Sequence, residues 1–480
     1  MRKPEHPCTR VLIVRLPCGK VYPAGPVYLA SLIRRASAGD SPGIDIRILD
    51  LAAGPRNPRS RLLAEIADFR PEVVAFSWRD LQVFSPQDSD GGFRDAYSFM
   101  HERSPIRRVV ASFRGLADLV AYRSSISRNL SLVAAASRAF PDVGIALGGP
   151  AVAVFGDHLA PKLPLRVRIF ADSELGPFFD YLGLPLPPDP DEPAIDLGFL
   201  ESAFPQWQEY RGATIGVRTK RGCPRDCLFC IYPKLEGKRL RRRSPDAVAA
   251  EILAYARRWG SRRFWLTDAQ LLSVPEDRIH LTEILERVAS SGLDIHWSGY
   301  LRVSDLDAGL ASVMVRSGLE ELEVSLGSGS QRIVDGLRLG FTVDDVMRGL
   351  GHIKAAGYTG RILVNLSLNA PGESAASLEE TIDVVGRIRS IFGPERVVPV
   401  IFFLAIQPGT GLEALAFEEG RLRPGYDPLS VWPWRARALI HNPPPLGNMI
   451  GRACAEAFRG GLEGRGDRIL AAISRELKDQ

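Results

Sequence analysis

Short apolar runs alternate with longer amphipathic stretches along most of the chain, and this alternation restricts the fold more than any other feature. It predicts parallel β-sheets covered by helices, because two neighbouring parallel strands need a crossover connection between them. In the first half, strands are predicted at residues 11–16, 44–49, 73–77, 143–147 and 167–171. Five such units favour a doubly wound α/β domain, whose ligand crevice lies at the carboxyl ends of the strands.

A proline-rich stretch at residues 185–193 separates this series from a second one. The second series predicts strands at residues 214–219, 263–267, 295–300, 322–326, 362–369 and 398–406. Six strand–helix units suit a partial, open α/β barrel better than a full eight-unit barrel. The predicted domain organisation is a first domain at 10–184, a stiff linker at 185–210, a partial barrel at 211–410 and a short, mainly helical C-terminal region at 411–480.

Two polar segments fit neither series. Residues 84–129 are Arg-rich and are predicted to form an inserted loop with one or two helices, followed by a helix at 130–140. The basic run at 238–243 raises the possibility of nucleic-acid binding, which depends on clustered Lys and Arg. No aromatic residues are interleaved with that run, so a solvated face or a contact to a cofactor phosphate is favoured.

Composition indicates an ordinary globular protein. Hydrophobic residues make up 45% and charged residues 24% of the chain, and the net charge of +5 is too small to argue for nucleic-acid or membrane binding. The longest apolar stretch, at 397–406, reaches about half of the ~20 residues that span a bilayer. Residues 1–8 are polar and lead directly into a predicted strand, so we expect no secretory signal there. We therefore expect a cytoplasmic protein that binds neither membrane nor nucleic acid.

Three of the six cysteines, Cys223, Cys227 and Cys230, are spaced C-x3-C-x2-C directly after the first strand of the second series. Three thiolates on one tight loop can hold three irons of a 4Fe–4S cube and leave the fourth iron open. A zinc site normally has four ligands, and no histidine or fourth cysteine lies nearby in the sequence. Cys8, Cys18 and Cys454 are scattered, so a second cluster is not predicted.

This spacing, with an aromatic residue before the last cysteine, resembles the cluster motif of the radical S-adenosylmethionine (SAM) superfamily. Other segments resemble strand-end motifs of its branch with an N-terminal cobalamin-binding domain, namely residues 294–302, 323–331, 339–342, 369–373 and 407–411. The resemblance covers residues 10 to about 425. It implies a 4Fe–4S cluster on the three cysteines, SAM chelating the open iron, and cobalamin between the domains. It also implies a small-molecule substrate and an external electron donor such as flavodoxin or ferredoxin.

The resemblance assigns expected roles in the first domain to residues that follow the third, fourth and fifth strands. Ser77 and Arg79, then Gly148 and Gly149, then Glu174 occupy the loops that surround cobalamin in that family. The first loop contains no histidine, so the D-x-H-x-x-G motif is absent and cobalt is expected to lack a protein histidine beneath it. Without the resemblance, the glycine pair would be only a tight turn.

Two departures from the family pattern concern SAM. The family motif Gly-x-Glu-Ser aligns with residues 325–328, where Gly327 replaces the glutamate and Ser325 and Ser328 remain as candidate contacts. At the end of the second barrel strand, where Gly-Gly-Glu or Asp-Asp-x-Phe is typical, Asp268 keeps one carboxylate. These changes predict an altered pose for SAM.

The implied activity is a methyltransferase that moves a methyl group from SAM through cobalamin to a carbon of a small-molecule or peptide-precursor substrate. A subgroup resembling tryptophan 2-C-methyltransferase performs this transfer without a radical, and the missing glutamate favours that variant. The alternatives are a radical cyclase or rearrangement enzyme on the same scaffold, and a non-catalytic cobalamin or redox sensor. Methylthiolation is disfavoured because a second cluster motif is missing.

Overall fold

The computed structural model describes residues 9–37, 43–53, 57–79, 91–430 and 433–479. The first sheet has five parallel strands in the spatial order β2-β1-β3-β4-β5. They are β1 (Arg10–Arg15), β2 (Asp45–Asp50), β3 (Val73–Ser77), β4 (Gly144–Gly148) and β5 (Val167–Ile169). The strand order reverses between β1 and β3, which is where a doubly wound sheet opens its ligand crevice.

Helices cover this sheet as the alternating pattern predicts. They are α1 (Ala24–Ala36), α2 (Pro58–Phe69), α3 (Gly91–His101), α4 (Pro105–Ala139), α5 (Pro150–Leu159) and α6 (Gly176–Leu182). The described part of the predicted insertion forms α3 and most of α4. The predicted helix at 130–140 is only the last part of α4, which has 35 residues. Residues 84–90 of the insertion lie outside the described residues.

The segment predicted as a linker is extended only in its first part. It contains α7 (Leu197–Ala203) and a 3-10 helix at Pro205–Tyr210. The Asp196 carboxylate caps α7 by accepting hydrogen bonds from the N–H groups of Gly198 at 2.8 Å and Phe199 at 3.2 Å.

The second sheet is the predicted partial barrel. Six parallel strands follow the spatial order β6-β9-β10-β11-β12-β13. They are β6 (Ile215–Val217), β9 (Arg263–Leu266), β10 (His296–Leu301), β11 (Leu319–Gly327), β12 (Arg361–Ser367) and β13 (Val397–Phe402). A short antiparallel hairpin follows β6 and comprises β7 (Lys220–Arg221) and β8 (Arg241–Arg242).

Helices cover the outside of the barrel. They are α9 (Pro245–Ala254), α10 (Asp277–Ala289), α11 (Ala308–Arg316), α12 (Gln331–Gly336), α13 (Val343–Ala355) and α14 (Ala375–Phe392). α8 (Tyr232–Glu236) instead packs against α5 of the first domain. The buried leucines and valines of β11 alternate with half-buried polar residues. One face of each strand therefore packs on the helices, and the other faces the inside of the barrel.

The C-terminal region is helical, as predicted. It contains α15 (Gly411–Glu418), α16 (Pro433–Ala438), α17 (Leu446–Ala457) and α18 (Arg465–Lys478). α17 packs between α3 and α18, and α18 lies against β13. Within the described ranges, no helix combines the length and apolar character needed to cross a membrane.

The two α/β domains share a buried polar interface as well as one apolar core. The hydroxyls of Tyr22 and Tyr255 lie 2.5 Å apart, and the Tyr28 hydroxyl donates to Glu251 at 3.1 Å. Arg243 forms a buried ion pair with Glu251 at 2.7 Å. Buried polar groups of this kind are costly to separate from their partners, so α1 and α9 hold the domains in one orientation.

Candidate active site

The loop that carries the three cysteines begins just after β6, and Asp268 holds its first residues. The Asp268 carboxylate accepts hydrogen bonds from the Thr219 backbone N–H at 2.7 Å, the Thr219 hydroxyl at 2.5 Å and the Lys220 backbone N–H at 3.3 Å. Its side chain is buried. The carboxylate predicted to contact SAM therefore already has protein donors, and its contact with SAM stays a prediction.

The Lys220 side chain also anchors the start of the cysteine loop. Its buried Nζ lies 3.1 Å from an Asp277 carboxylate oxygen and donates to the Leu271 carbonyl at 2.8 Å. A buried ammonium needs such partners, because an unpaired charge in the interior is strongly destabilising. Asp268, just after β9, and Asp277, at the start of α10, thus fix the first residues of the cysteine loop.

The chain turns sharply at Gly222, where φ is +93°. A Cβ at this position would overlap the Arg239 carbonyl oxygen, so only glycine fits. The Cys223 N–H donates to the Gly237 carbonyl at 3.0 Å. Further along the loop, Leu228 donates to the Leu337 carbonyl at 3.0 Å. The loop is therefore tied both to the hairpin and to the segment after α12.

The three cysteines lie on this loop without disulfide bonds. Cys223 is buried, and Cys227 and Cys230 are half-buried. Burial and, to a smaller extent, the neighbouring cysteines raise the pKa of the Cys227 thiol, and burial is the main cause that raises the pKa of Cys230 to about 12. A bound cation favours the thiolate form and would oppose these shifts.

This donor set fits a 4Fe–4S cluster. Such a cluster presents its irons at separate corners, so its thiolates do not converge on one point. Among the residues that the structure describes, no three His, Cys, Asp or Glu side chains are placed to hold one metal ion. Three cysteines on one short loop, Cys223, Cys227 and Cys230, provide the three thiolates that such a cluster takes from this motif.

The predicted residues of the first domain meet at the carboxyl edge of its sheet. Ser77 ends β3 and pairs in register with Gly148, which ends β4. Gly149 has φ of +100°, and a Cβ there would lie 2.8 Å from the Trp78 carbonyl oxygen. The structure thus explains Gly149 by its close contact with the loop after β3. A contact between this glycine pair and cobalamin stays a prediction.

This carboxyl edge faces the cysteine loop of the barrel. α8 packs on α5, and Ile231 and Leu235 contact the core of the first sheet. Arg79 is exposed at this edge; burial raises the pKa of Tyr232 and Tyr300, and the Arg79 charge partly opposes both shifts. Glu174 forms a two-point ion pair with Arg241 of the hairpin, with N···O distances of 2.6 and 3.1 Å. Arg79 and Glu174 therefore lie where the two domains meet, while Glu174 is already paired within the protein.

The candidate SAM residues at the end of β11 differ in their surroundings. Ser325 is half-buried on the inner face of the barrel. Ser328 is buried, and its hydroxyl lies 3.0 Å from the Thr381 hydroxyl and accepts a hydrogen bond from the Ser330 N–H at 3.1 Å. Gly327 has φ of +74°, and a Cβ would lie 2.8 Å from a methyl carbon of Leu339. The backbone conformation and the nearby Leu339 methyl therefore disfavour a glutamate at position 327. The Ser328 hydroxyl forms hydrogen bonds within the protein, to Thr381 and Ser330.

Four further residues on the inner face of the barrel carry no assigned role from the sequence. The rings of Trp265 and Tyr300 meet edge to face, with centroids 5.3 Å apart. The Asn365 side-chain amide donates to the Glu323 carboxylate at 2.7 Å. Their sequence signal is the alternation of polar or aromatic residues with buried aliphatic ones along each strand. That signal places them inside the barrel but does not identify their partners.

The basic run at 238–243 is largely neutralised within the chain. Lys238 pairs with Asp226 at 3.0 Å, Arg242 with Asp277 at 2.7 Å, and Arg243 with Glu192 at 3.0 Å. Together with Arg241, these side chains fix the hairpin and the cysteine loop against neighbouring elements. Their charges thus have a structural explanation.

Comparison with known proteins agrees with this geometry. The sequence model of the Radical SAM superfamily matches residues 217–385. An uncharacterized methyltransferase of Pyrococcus horikoshii is 28% identical over 167 residues, which are 35% of this chain and 35% of that protein. A tRNA-2-methylthio-N(6)-dimethylallyladenosine synthase of Chromohalobacter salexigens is 24% identical over 264 residues, which are 52% of this chain and 57% of that protein. The chain thus spans about a third to somewhat over half of the length of these relatives.

Two solved structures share the fold over most of the chain. The radical SAM methyltransferase TsrM from Kitasatospora setae, with cobalamin and a [4Fe-4S] cluster bound, has a TM-score of 0.57 at 16% identity and covers 97% of this chain and 88% of that one. The cobalamin-dependent radical SAM enzyme OxsB, with aqua-cobalamin and SAM bound, has a TM-score of 0.52 at 13% identity and covers 79% and 52%.

Residues 217–385, which include the cysteine loop, are thus similar to the Radical SAM superfamily. With the five-stranded sheet in front of this segment, most of the chain shares the fold of the TsrM and OxsB structures.

Proposed function

We propose that this protein is a cobalamin-dependent radical SAM-type methyltransferase acting on a carbon of a small-molecule or peptide-precursor substrate. The observation that carries the proposal is the packing of α8, which follows Cys230, against α5, which follows Gly149. Ile231 and Leu235, beside the cysteine loop, pack on the hydrophobic core of the first sheet. This supports an arrangement in which a cofactor in the first domain faces a cluster in the second.

In this proposal Cys223, Cys227 and Cys230 hold the 4Fe–4S cluster, and the crevice between β1 and β3 holds cobalamin. When bound, the cluster would coordinate SAM at its open iron, and cobalamin would supply the methyl-carrying cobalt. The loop between β1 and α1 offers no histidine beneath the cobalt, and Arg79 is our candidate for that lower face. Ser77, Gly148 and Gly149 would line the adjacent edge. Glu174 would act through Arg241, which fixes the hairpin.

The SAM contacts favour transfer of the methyl group over radical cleavage. Position 327 has no carboxylate, and Asp268 is occupied by Thr219 and Lys220. Ser325 remains as the half-buried polar group of this segment that faces the inside of the barrel. We therefore propose that SAM serves mainly as a methyl donor. An external electron donor such as flavodoxin or ferredoxin, and a cytoplasmic location, belong to the same proposal.

Two other enzyme classes and one non-enzymatic role are the alternatives. A radical cyclase or rearrangement enzyme would cleave SAM to 5′-deoxyadenosine, and a sensor would turn over no SAM. A methylthiolating enzyme would need sulfur from a second cluster. Cys454 is buried in α17, Cys18 lies in the loop after β1, and Cys8 lies outside the described residues, so no second cysteine loop supports that role.

The test is independent of the unknown substrate. The protein is reconstituted anaerobically with iron, sulfide and cobalamin, reduced, and incubated in the dark with methyl-labelled SAM. We expect the label on the extracted cobalamin together with an equal amount of S-adenosylhomocysteine. Release of 5′-deoxyadenosine without label on cobalamin would support the cyclase class. Intact SAM with both cofactors bound would support the sensor and overturn the proposal.

A further inference from the structure

Glu323 and Asn365 form a polar pair on the inner face of the barrel. Strand pairing places Glu323 opposite Tyr300 of β10 and opposite Leu363 of β12. Asn365 lies one inner-face position further along β12, and its amide reaches the Glu323 carboxylate at 2.7 Å. Both side chains are half-buried, so solvent still reaches them in the barrel.

Glu323 differs from the other glutamates of β11 because it lacks a cation. Glu320 pairs with Arg263 at 2.9 Å, and Glu321 pairs with Arg361 at 3.3 Å. Among the described residues, no Lys, Arg or His lies within ion-pair distance of the Glu323 carboxylate. Burial raises its pKa, the Asn365 hydrogen bond lowers it, and Glu321 raises it. A half-buried carboxylate in this setting gains stability from a positive ligand.

Aromatic rings stand beside this carboxylate. Trp265 and Tyr300 are half-buried on the same inner face, and their rings meet edge to face. Strand pairing places Tyr300 directly opposite Glu323, and burial together with the Glu323 charge raises the pKa of Tyr300. An aromatic wall next to an acceptor is the usual composition of a small-molecule site.

We propose that Glu323, oriented by Asn365, binds a protonated amine of the substrate while an aromatic or apolar ring of that molecule lies against Trp265 and Tyr300. This assignment rests on the proposed function, because it names the substrate class of the same barrel. Asn365 is a positioning residue: its amide holds one carboxylate oxygen and leaves the other directed to the ligand. The methionine part of SAM also carries an ammonium group, so the test must separate the two sources.

The test measures anaerobic binding to the cofactor-loaded protein at pH 8, using phenethylamine and 2-phenylethanol. These probes share a ring and a chain length, and differ in carrying an ammonium or a hydroxyl group. We expect phenethylamine to bind about tenfold more tightly, the factor that one charge-assisted hydrogen bond supplies. Glu323→Gln should reduce this preference to about twofold or less. Asn365→Ala should give an intermediate preference. The control Glu320→Gln, on the same strand but paired with Arg263, should preserve the full preference.

Three outcomes would overturn the assignment. Equal affinity of the wild-type protein for both probes would show that Glu323 does not recognise the ammonium group. Failure of both probes to bind would show that Trp265 and Tyr300 do not form a surface for a ring. If Glu323→Gln weakens S-adenosylhomocysteine binding while the phenethylamine preference persists, the carboxylate recognises SAM instead. Binding is measured without turnover, so loss of the proposed methyl transfer and loss of amine recognition are separate results.

Discussion

The Asp268 carboxylate accepts hydrogen bonds from both the backbone N–H and the hydroxyl of Thr219, at 2.7 and 2.5 Å. The end of β9 thereby fixes the point at which the cysteine loop leaves β6. Asp268 is 1% exposed. We therefore expect Asp268 to influence the cluster by positioning the start of the cysteine loop.

Asp268→Asn should lower the free energy of unfolding by about 1.5–3 kcal/mol, because hydrogen bonds to a buried charged group are lost or weakened. Urea unfolding of the anaerobic protein measures this change. The control Asp246→Asn removes an exposed carboxylate on α9 and should leave stability nearly unchanged. If Asp268→Asn is as stable as the control and loses only SAM affinity, Asp268 contacts SAM directly.

Replacing Cys223, Cys227 and Cys230 together with Ala should abolish the visible absorption of the cluster and reduce bound iron from about four per chain to nearly none. Iron and sulfide analysis after anaerobic reconstitution checks this. Cys454→Ala, in α17, is the matched control and should keep the full iron content. Iron retained in the triple variant would show that other residues hold the cluster.

The fold was largely predictable from the strand pattern, but the extent of α4 was not. Its first part carries Ile106, Phe113 and Leu116 at helical spacing, and these are 76%, 70% and 58% exposed. The Arg-rich composition of residues 84–129 concealed this period, because charged residues suit a loop as well as a solvated helix. The spacing of the apolar residues correctly indicated a helix, whereas the Arg-rich composition suggested a loop.

The site was predictable where a motif defines it and not where partners are distant in sequence. Cysteine spacing predicted a cluster loop at residues 223–230, and the segment similar to the Radical SAM superfamily includes it. The donors of Asp268 and the partner of Ser328 lie 48 to 53 residues away in the chain. No local pattern reports whether a side chain at a strand end points into the site or toward a neighbouring turn. For the same reason, the sequence showed Glu323 only as part of the motif at residues 323–331 and did not reveal its hydrogen bond with Asn365.

Arg79→Ala should weaken cobalamin binding about two- to fivefold, the range for one exposed charge, while leaving stability unchanged. Equilibrium dialysis measures the affinity. The control Arg128→Ala removes an exposed arginine of α4 and should bind cobalamin normally. Electron paramagnetic resonance of bound Co(II) should show no splitting from an imidazole nitrogen. Such splitting in the wild-type protein would contradict the absence of a histidine ligand.

Glu373 should make stability depend on pH, because burial raises its pKa from the ordinary value of 4.5 to about 7. The folded protein then holds this proton more tightly than the unfolded chain, so the free energy of unfolding falls as pH rises from about 4.5 to about 7. Glu373→Gln should remove about 1–3 kcal/mol of that fall, seen by urea unfolding at pH 5 and pH 8. Exposed Glu379→Gln is the control. An unchanged pH dependence in Glu373→Gln would refute the raised pKa.

The absence of a carboxylate at Gly327 should determine the ratio of the two SAM products, S-adenosylhomocysteine and 5′-deoxyadenosine. A carboxylate contact to SAM contributes about 1.5–3 kcal/mol, so its absence lowers the chelated population by roughly ten- to 150-fold. Gly327 cannot simply be reverted, because φ of +74° and the Leu339 methyl 2.8 Å from its Cβ position both oppose a side chain. Gly327→Glu should therefore lower stability without increasing 5′-deoxyadenosine, and Gly327→Ala should show the same strain as a size control. In the wild-type protein under strong reductant, S-adenosylhomocysteine should exceed 5′-deoxyadenosine. Comparable yields of both, coupled to a methylated product and measured by mass spectrometry, would establish the radical route instead.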